Sequence, residues 1–212
     1  FLYFDYSFSE TLHLLLPLSF VISLIQFLKS KEKNKSFIYK FNIFTLPSLA
    51  ISLSMILYFQ ELLDFKIFIS VMLIVLSIAS INKNRFYKIL SKNINQNIFL
   101  TFLGINHGLT NLGGGFLALY SNVVVKKNKN LTRFYISYGY LIMVFVQLII
   151  LFAYYRSDFD YIKLIYIFLV IIIYFPSQKI YNKINQNKFS SMIRLIAIFY
   201  GFFVLISSLN FS

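Results

Sequence analysis

One apolar stretch of the chain, residues 98–125, concentrates groups that could bind a small ion. Its centre reads Gly104-Ile105-Asn106-His107-Gly108-Leu109-Thr110-Asn111-Leu112-Gly113-Gly114-Gly115. Consecutive glycines let the backbone bring its amide N–H groups close to a ligand, and successive N–H groups form a concavity that attracts anions. A half-helix starting near Gly114 would add the positive end of its dipole. Asn106, Thr110 and Asn111 each offer a hydrogen-bond donor, and His107 offers a charge when protonated or a group that carries a proton. On a helix, Asn106 and Thr110 share a face, as do His107 and Asn111. The expected substrate-binding set is therefore Asn106, His107, Thr110, Asn111, Gly113, Gly114 and Gly115. The competing reading of the glycines is close helix packing through a small-x-x-x-small pattern. The competing reading of the asparagines and the threonine is that they satisfy backbone groups freed by a helix break.

The composition says what kind of chain must position these residues. Hydrophobic residues make up 58% of its 212 positions and charged ones only 13%, which predicts an all-α, polytopic membrane protein rather than a soluble domain. With no cysteine, disulfides, thiolate metal sites and thiol nucleophiles are excluded. The net charge of +13 sits in connecting segments, as in membrane proteins whose basic loops stay cytoplasmic, so nucleic acid is not an expected partner. Asp5 and Glu10, not basic residues, precede the first apolar run, which rules out a signal peptide. The chain opens on Phe1 and is expected to lack its own beginning.

Apolar runs fall at 11–28, 41–59, 65–81, 98–125, 134–155, 161–175 and 191–209. The sixth is expected to end at Phe175-Pro176. About six of these runs should cross a membrane, and the run 98–125 is broken by its glycines. Loops 29–40, 82–97, 122–133 and 176–190 hold sixteen of the twenty Lys and Arg but one of the seven acidic residues. Under the positive-inside rule all four belong on the cytoplasmic side. That is met only if the segment 98–125 dips in and returns as a re-entrant hairpin. An ordinary kinked crossing would put loop 122–133 on the other side. Elsewhere, His13 reads as an interfacial residue, Gln147 as an interhelical hydrogen bond or pore-lining group, and Arg194 as a side chain reaching the headgroups.

A repeat is also legible. Pro47-Ser48 and Pro176-Ser177 stand 129 residues apart, and the same shift lays the first three apolar runs over later ones. The loop charges give the copies opposite orientation, an inverted-topology repeat of the kind that builds secondary transporters. The first copy would span 1–97, without its glycine hairpin, and the second 98–212, with the hairpin at 98–125.

The register of Gly104, Gly108, Gly113, Gly114 and Gly115, together with Phe175-Pro176-Ser177-Gln178-Lys179-Ile180 and Arg194, resembles the sulfite exporter TauE/SafE family of membrane permeases. Asn111 stands where that family usually has glycine, and Tyr120 where it often has proline. The resemblance implies secondary active transport of a small anion such as sulfite, a sulfonate or sulfoacetate, in the bacterial inner membrane. Expected partners are membrane lipid, the anion and a coupling H+ or Na+; a homo-oligomer stays open. No Gly-x-x-x-x-Gly-Lys-Ser/Thr loop is present to drive transport with ATP. Two other readings stay open: a channel or structural membrane subunit, and a redox subunit with His13 and His107 on a haem. The residues call for no cofactor and no enzyme chemistry.

Overall fold

The computed structural model describes residues 8–30, 32–59, 93–125, 128–155 and 164–183, with a few single positions beyond them. Six helices follow one another: α1 (Phe8–Leu28), α2 (Lys35–Phe59), α3 (Asn93–Thr110), α4 (Gly113–Val124), α5 (Lys129–Tyr154) and α6 (Tyr166–Lys183). No strand occurs among the described residues. The runs 65–81 and 191–209 lie almost wholly outside them, as do residues 82–92 and Arg194.

Helices α1, α2 and most of α5 are long and apolar enough to cross a membrane. Their 21, 25 and 26 residues reach beyond a hydrocarbon core of about 30 Å at ~1.5 Å per residue. All three start earlier than their apolar runs, and at α2 and α5 asparagines cap the added turn. Asn34 Oδ1 accepts from the Phe37 amide at 2.9 Å, and Asn128 Oδ1 accepts from Leu131 at 3.0 Å. At α6 the expectation of a stop at Phe175 is corrected: the helix runs through Pro176 to Lys183. Proline is tolerated inside an apolar helix where neighbouring hydroxyls help satisfy the backbone. Ser177 Oγ donates to the Ile173 carbonyl at 2.7 Å, as Ser48 Oγ after Pro47 does to Phe44 at 2.8 Å.

Contacts fix the direction of each helix. Thr45 Oγ1 donates to the Leu100 carbonyl, Gly104 meets Ser48, and Gly108 meets Ser52, so α2 and α3 run parallel. Phe59 and Asn93 are thus at opposite ends of the bundle. Phe20 touches Phe145 and Phe27 touches Phe134, so α1 is antiparallel to α5. Phe99 stacks on Tyr120 at 5.7 Å and Phe102 meets Phe116 edge-on at 5.6 Å. Helices α3 and α4 therefore form an antiparallel hairpin, closed by Asn111 and Leu112. Its return arm has 12 residues, about 18 Å, well short of a full crossing.

The hairpin carries the chain back to its starting end. There the loop before α2 meets the loop before α5, where Asn128 Nδ2 donates to Glu32 Oε2 at 2.9 Å. Helix α6 brings Tyr174 and Phe175 to the same end, under Lys29. Glu32 and Asn128 thus share one end, as the loop charges required, and the segment 98–125 reverses direction between α3 and α4.

Two kinds of packing hold the hairpin. Lipid removes the hydrophobic drive between helices, so backbone proximity and side-chain fit take over. A Cβ on Gly104 would strike Ser48 Oγ and the Thr45 carbonyl. One on Gly108 would strike Ser52 Oγ and stand 2.8 Å from Leu49 O and Leu53 N. These glycines make the α2–α3 seam. At the basic end Phe37 stacks on Tyr135 at 3.8 Å, within a cluster that includes Phe41, Tyr120, Phe134 and Tyr138. Such ring pairs contribute roughly 0.5–1.5 kcal/mol each beyond buried area.

Gly108→Ala should cost about 1–3 kcal/mol by overpacking the seam, whereas Gly115→Ala, at an exposed position, should stay within about 1 kcal/mol of wild type; thermal melts in detergent read both. Cysteines placed singly at Lys33 and Asn128 should be labelled from the same side of intact vesicles, and one at Glu10 from the opposite side. Labelling of Lys33 and Asn128 variants from opposite sides would contradict the hairpin.

Candidate functional site

The hairpin turn is assembled from the polar residues of the glycine stretch. Asn111 adopts a left-handed backbone, φ 58°, which asparagine tolerates better than most residues. This ends α3 and lets α4 begin at Gly113. Reversing the chain in an apolar bundle exposes the last carbonyls of one helix and the first amides of the next. Local groups meet them. The Asn111 amide donates to the His107 carbonyl at 2.8 Å, and the Gly115 amide to the Leu112 carbonyl at 3.2 Å. Thr110 Oγ1 donates to the Asn106 carbonyl at 2.7 Å and accepts from the Leu112 amide at 3.2 Å. His107 Nδ1 accepts from the Gly113 amide at 3.0 Å.

The expected anion nest of three adjacent amides is therefore revised. The Gly113 and Gly115 amides and the Thr110 hydroxyl are spent on the turn itself. Gly113 is glycine for a steric reason too: a Cβ there would collide with the His107 side chain, with Cγ at 2.6 Å and Nδ1 at 2.8 Å. Gly114 faces Tyr140, whose Cε2 would lie 2.8 Å from an added Cβ.

What remains unspent is specific. Since His107 Nδ1 accepts a hydrogen bond, the ring proton of the neutral imidazole sits on Nε2. His107 Nε2, Asn106 Nδ2 and Gln147 Oε1 are buried without a hydrogen bond of full geometry among the described residues, and of these the imidazole and the Gln147 side chain face each other. Gln147 comes from α5, and its Nε2 donates to Asn111 Oδ1 at 3.4 Å. The site thus holds two neutral donors around the turn, Asn106 Nδ2 and His107 Nε2, the second beside the Gln147 amide, with the Tyr140 ring 5.6 Å from the imidazole.

Of the residues expected from the sequence, Asn106, His107, Thr110, Asn111 and Gly113 are brought together at the turn. Gly114 lies against the Tyr140 ring and lines the space toward α1 and α5, and Gly115 is exposed. His13 is not part of the group. It lies beside Tyr155, just past the C-terminal end of α5 and eight residues or about 12 Å along the helix from Gln147.

A cavity of about 280 Å³ adjoins the turn, between α1, α4 and α5. Ser19, Ser23 and Gln26 line it from α1, Gly114 from α4, and Ser137 and Tyr140 from α5. The Tyr140 hydroxyl pairs with Ser19 across it. None of the α1 and α5 residues was singled out as a cavity wall from sequence, although a signal exists. Ser19, Ser23 and Gln26 fall on one helical face, as do Ser137, Tyr140 and Gln147, each a polar stripe in an otherwise oily helix. Comparison with family models, curated proteins and solved structures finds no match.

Asn111→Ala should cost about 1–2 kcal/mol, the penalty of a left-handed backbone without a locally bonding side chain, and Asn111→Gly should cost less. His107→Phe removes the Gly113 acceptor and should cost about 1–3 kcal/mol. Melting temperatures of the purified variants check the order; a more stable Asn111→Ala protein would contradict the turn geometry.

Proposed function

We propose that this chain is a secondary active transporter of a small anion, with the hairpin turn as half of its substrate site. The observation that carries this reading is Asn106 Nδ2, a buried donor without a partner among the described residues, at a helix break inside an apolar bundle, next to His107 Nε2, which faces the Gln147 side chain. A buried donor without a partner costs about 1–3 kcal/mol, and an oxyanion at the turn would accept from both. The start of α4 adds the favourable end of its dipole.

Several features support the wider reading. Three helices suited to crossing a membrane surround a hairpin too short on its return to cross. We read its basic end as cytoplasmic and the whole as a re-entrant element in about six crossings of a bacterial inner membrane. We read α1–α2 and α5–α6 as inverted copies: α1 opposes α5 in direction, and Ser48 and Ser177, after Pro47 and Pro176, bond back to equivalent carbonyls. The glycine register resembles the sulfite exporter family, which names sulfite, sulfonates and sulfoacetate as substrates to try. His107 is a titratable group at the turn, so a proton is the first coupling ion to test; sodium is the second.

The test is flux in proteoliposomes with sulfite, thiosulfate, sulfoacetate and taurine, each with and without an imposed pH gradient. Saturable uptake of one anion is expected, and His107→Ala and Asn106→Leu should each lower it at least about tenfold, the effect of losing one buried hydrogen-bond donor to a charge. Non-saturable flux would point to a channel, and wild-type transport by His107→Ala would remove the histidine from the site.

A further inference from the structure

The turn is enclosed, so an anion that binds there needs a way in from water. The cavity between α1, α4 and α5 lies against it. Gly114 and Tyr140 form its inner limit, and the Tyr140 ring is also the one that meets His107. Gln26 and Ser137 lie toward the basic end. One helical turn further, the same two helices carry cations. Lys29 is three residues beyond Gln26, and Arg133 is four residues before Ser137, so each shares a face with a cavity-lining residue.

Both cations are held by α6, and by neutral groups. Lys29 Nζ stands 5.0 Å from the Tyr174 ring and 5.1 Å from that of Phe175. An Arg133 guanidinium nitrogen donates to Gln178 Oε1 at 3.2 Å and reaches Tyr174 Oη at 3.5 Å. An oxyanion offers a guanidinium shorter, charge-assisted bonds than an amide and a phenol do. The pocket is partly open and its wall is mostly apolar, interrupted by the hydroxyls of Ser19, Ser23, Ser137 and Tyr140 and the Gln26 amide, which are the donors an anion would meet on the way. Cations at a mouth raise an anion's local concentration.

We propose that this cavity is the passage of a small oxyanion between the basic end and the hairpin turn, and that Lys29 and Arg133 receive the anion at its mouth in exchange for Tyr174, Phe175 and Gln178 of α6. The passage rests on the transport reading above and adds to it a route, an entrance and a competitor for that entrance.

The experiment measures initial rates in proteoliposomes for whichever of sulfite, thiosulfate and sulfoacetate the wild type moves fastest. Ser137→Leu fills the passage and should lower flux at least about tenfold, by steric exclusion from a close-packed interior, with cooperative melting retained. Where Ser137→Leu does not melt cooperatively, Ser19→Leu on the opposite wall takes its place. Arg133→Gln should raise the half-saturating concentration about threefold to tenfold, the size of one partly screened charge contact. Arg133→Lys should recover most of that loss. Gln178→Ala frees Arg133 and should lower the half-saturating concentration or leave it unchanged. A merely structural clamp predicts the opposite, Gln178→Ala and Arg133→Gln raising it together, and that result overturns the proposal. Wild-type rates in both the cavity-filling and Arg133→Gln proteins overturn the passage while leaving transport intact. A wild type that moves none of the anions overturns the transport reading and the passage with it.

Discussion

A backbone N–H left unpaired in an apolar interior costs several kcal/mol, and the turn between α3 and α4 answers that constraint with side chains. The Gly113 amide goes to His107 Nδ1, the Leu112 amide to Thr110 Oγ1, and the Asn111 and Gly115 amides to carbonyls within the turn. The constraint decides which polar groups are free for anything else. A histidine whose Nδ1 is engaged presents Nε2–H; a threonine whose hydroxyl bonds the Asn106 carbonyl presents little. What is left for a ligand is therefore a remainder set by the backbone, namely Asn106 Nδ2 and the His107 Nε2–H that faces the Gln147 amide.

The turn keeps this arrangement because its two arms are held from outside. Gly104 and Gly108 let α3 lie against Ser48 and Ser52 of α2 at backbone distance. The aromatic cluster around Phe37, Tyr120 and Tyr135 ties α2, α4 and α5 at the basic end. One glycine run thus does two unrelated things. Its first pair makes a seam between parallel helices, and Gly113 and Gly114 make room for the His107 and Tyr140 rings. Tyr140 touches both the imidazole and the cavity, so the turn and the space beside it share a wall.

Much of this was legible in the chain. Among the described residues apolar runs located the helices, because a helix that faces lipid or a packed bundle must be apolar over its whole circumference. Loop charges required a hairpin, because only a return at 98–125 puts loops 29–40 and 122–133 at one end, and Asn128 does bond Glu32 there. The helix through Pro176 was not legible, since proline ends helices in water more readily than in an apolar bundle. The assignment of the glycine amides to an anion was not legible either. Sequence spacing placed His107 and Gly113 on the same element, but the hydrogen bond between them exists only once the chain has reversed.

The sequence by itself determined what is local or one-dimensional: an all-helical chain, helices of membrane-crossing length and composition, a break somewhere within Gly104–Gly115, and basic loops that must share an end. Periodicity, length and charge count are properties of a segment, so they survive without knowledge of neighbours. The tertiary structure decided which donors are spent and which remain, that Gln147 of α5 reaches Asn111, and that the serine stripes of α1 and α5 face each other across a cavity. Those facts depend on helix rotation and on which residues meet across a seam. Neither is encoded in any one segment, because the glycines that permit the close approach lie on a different helix from the side chains it brings together.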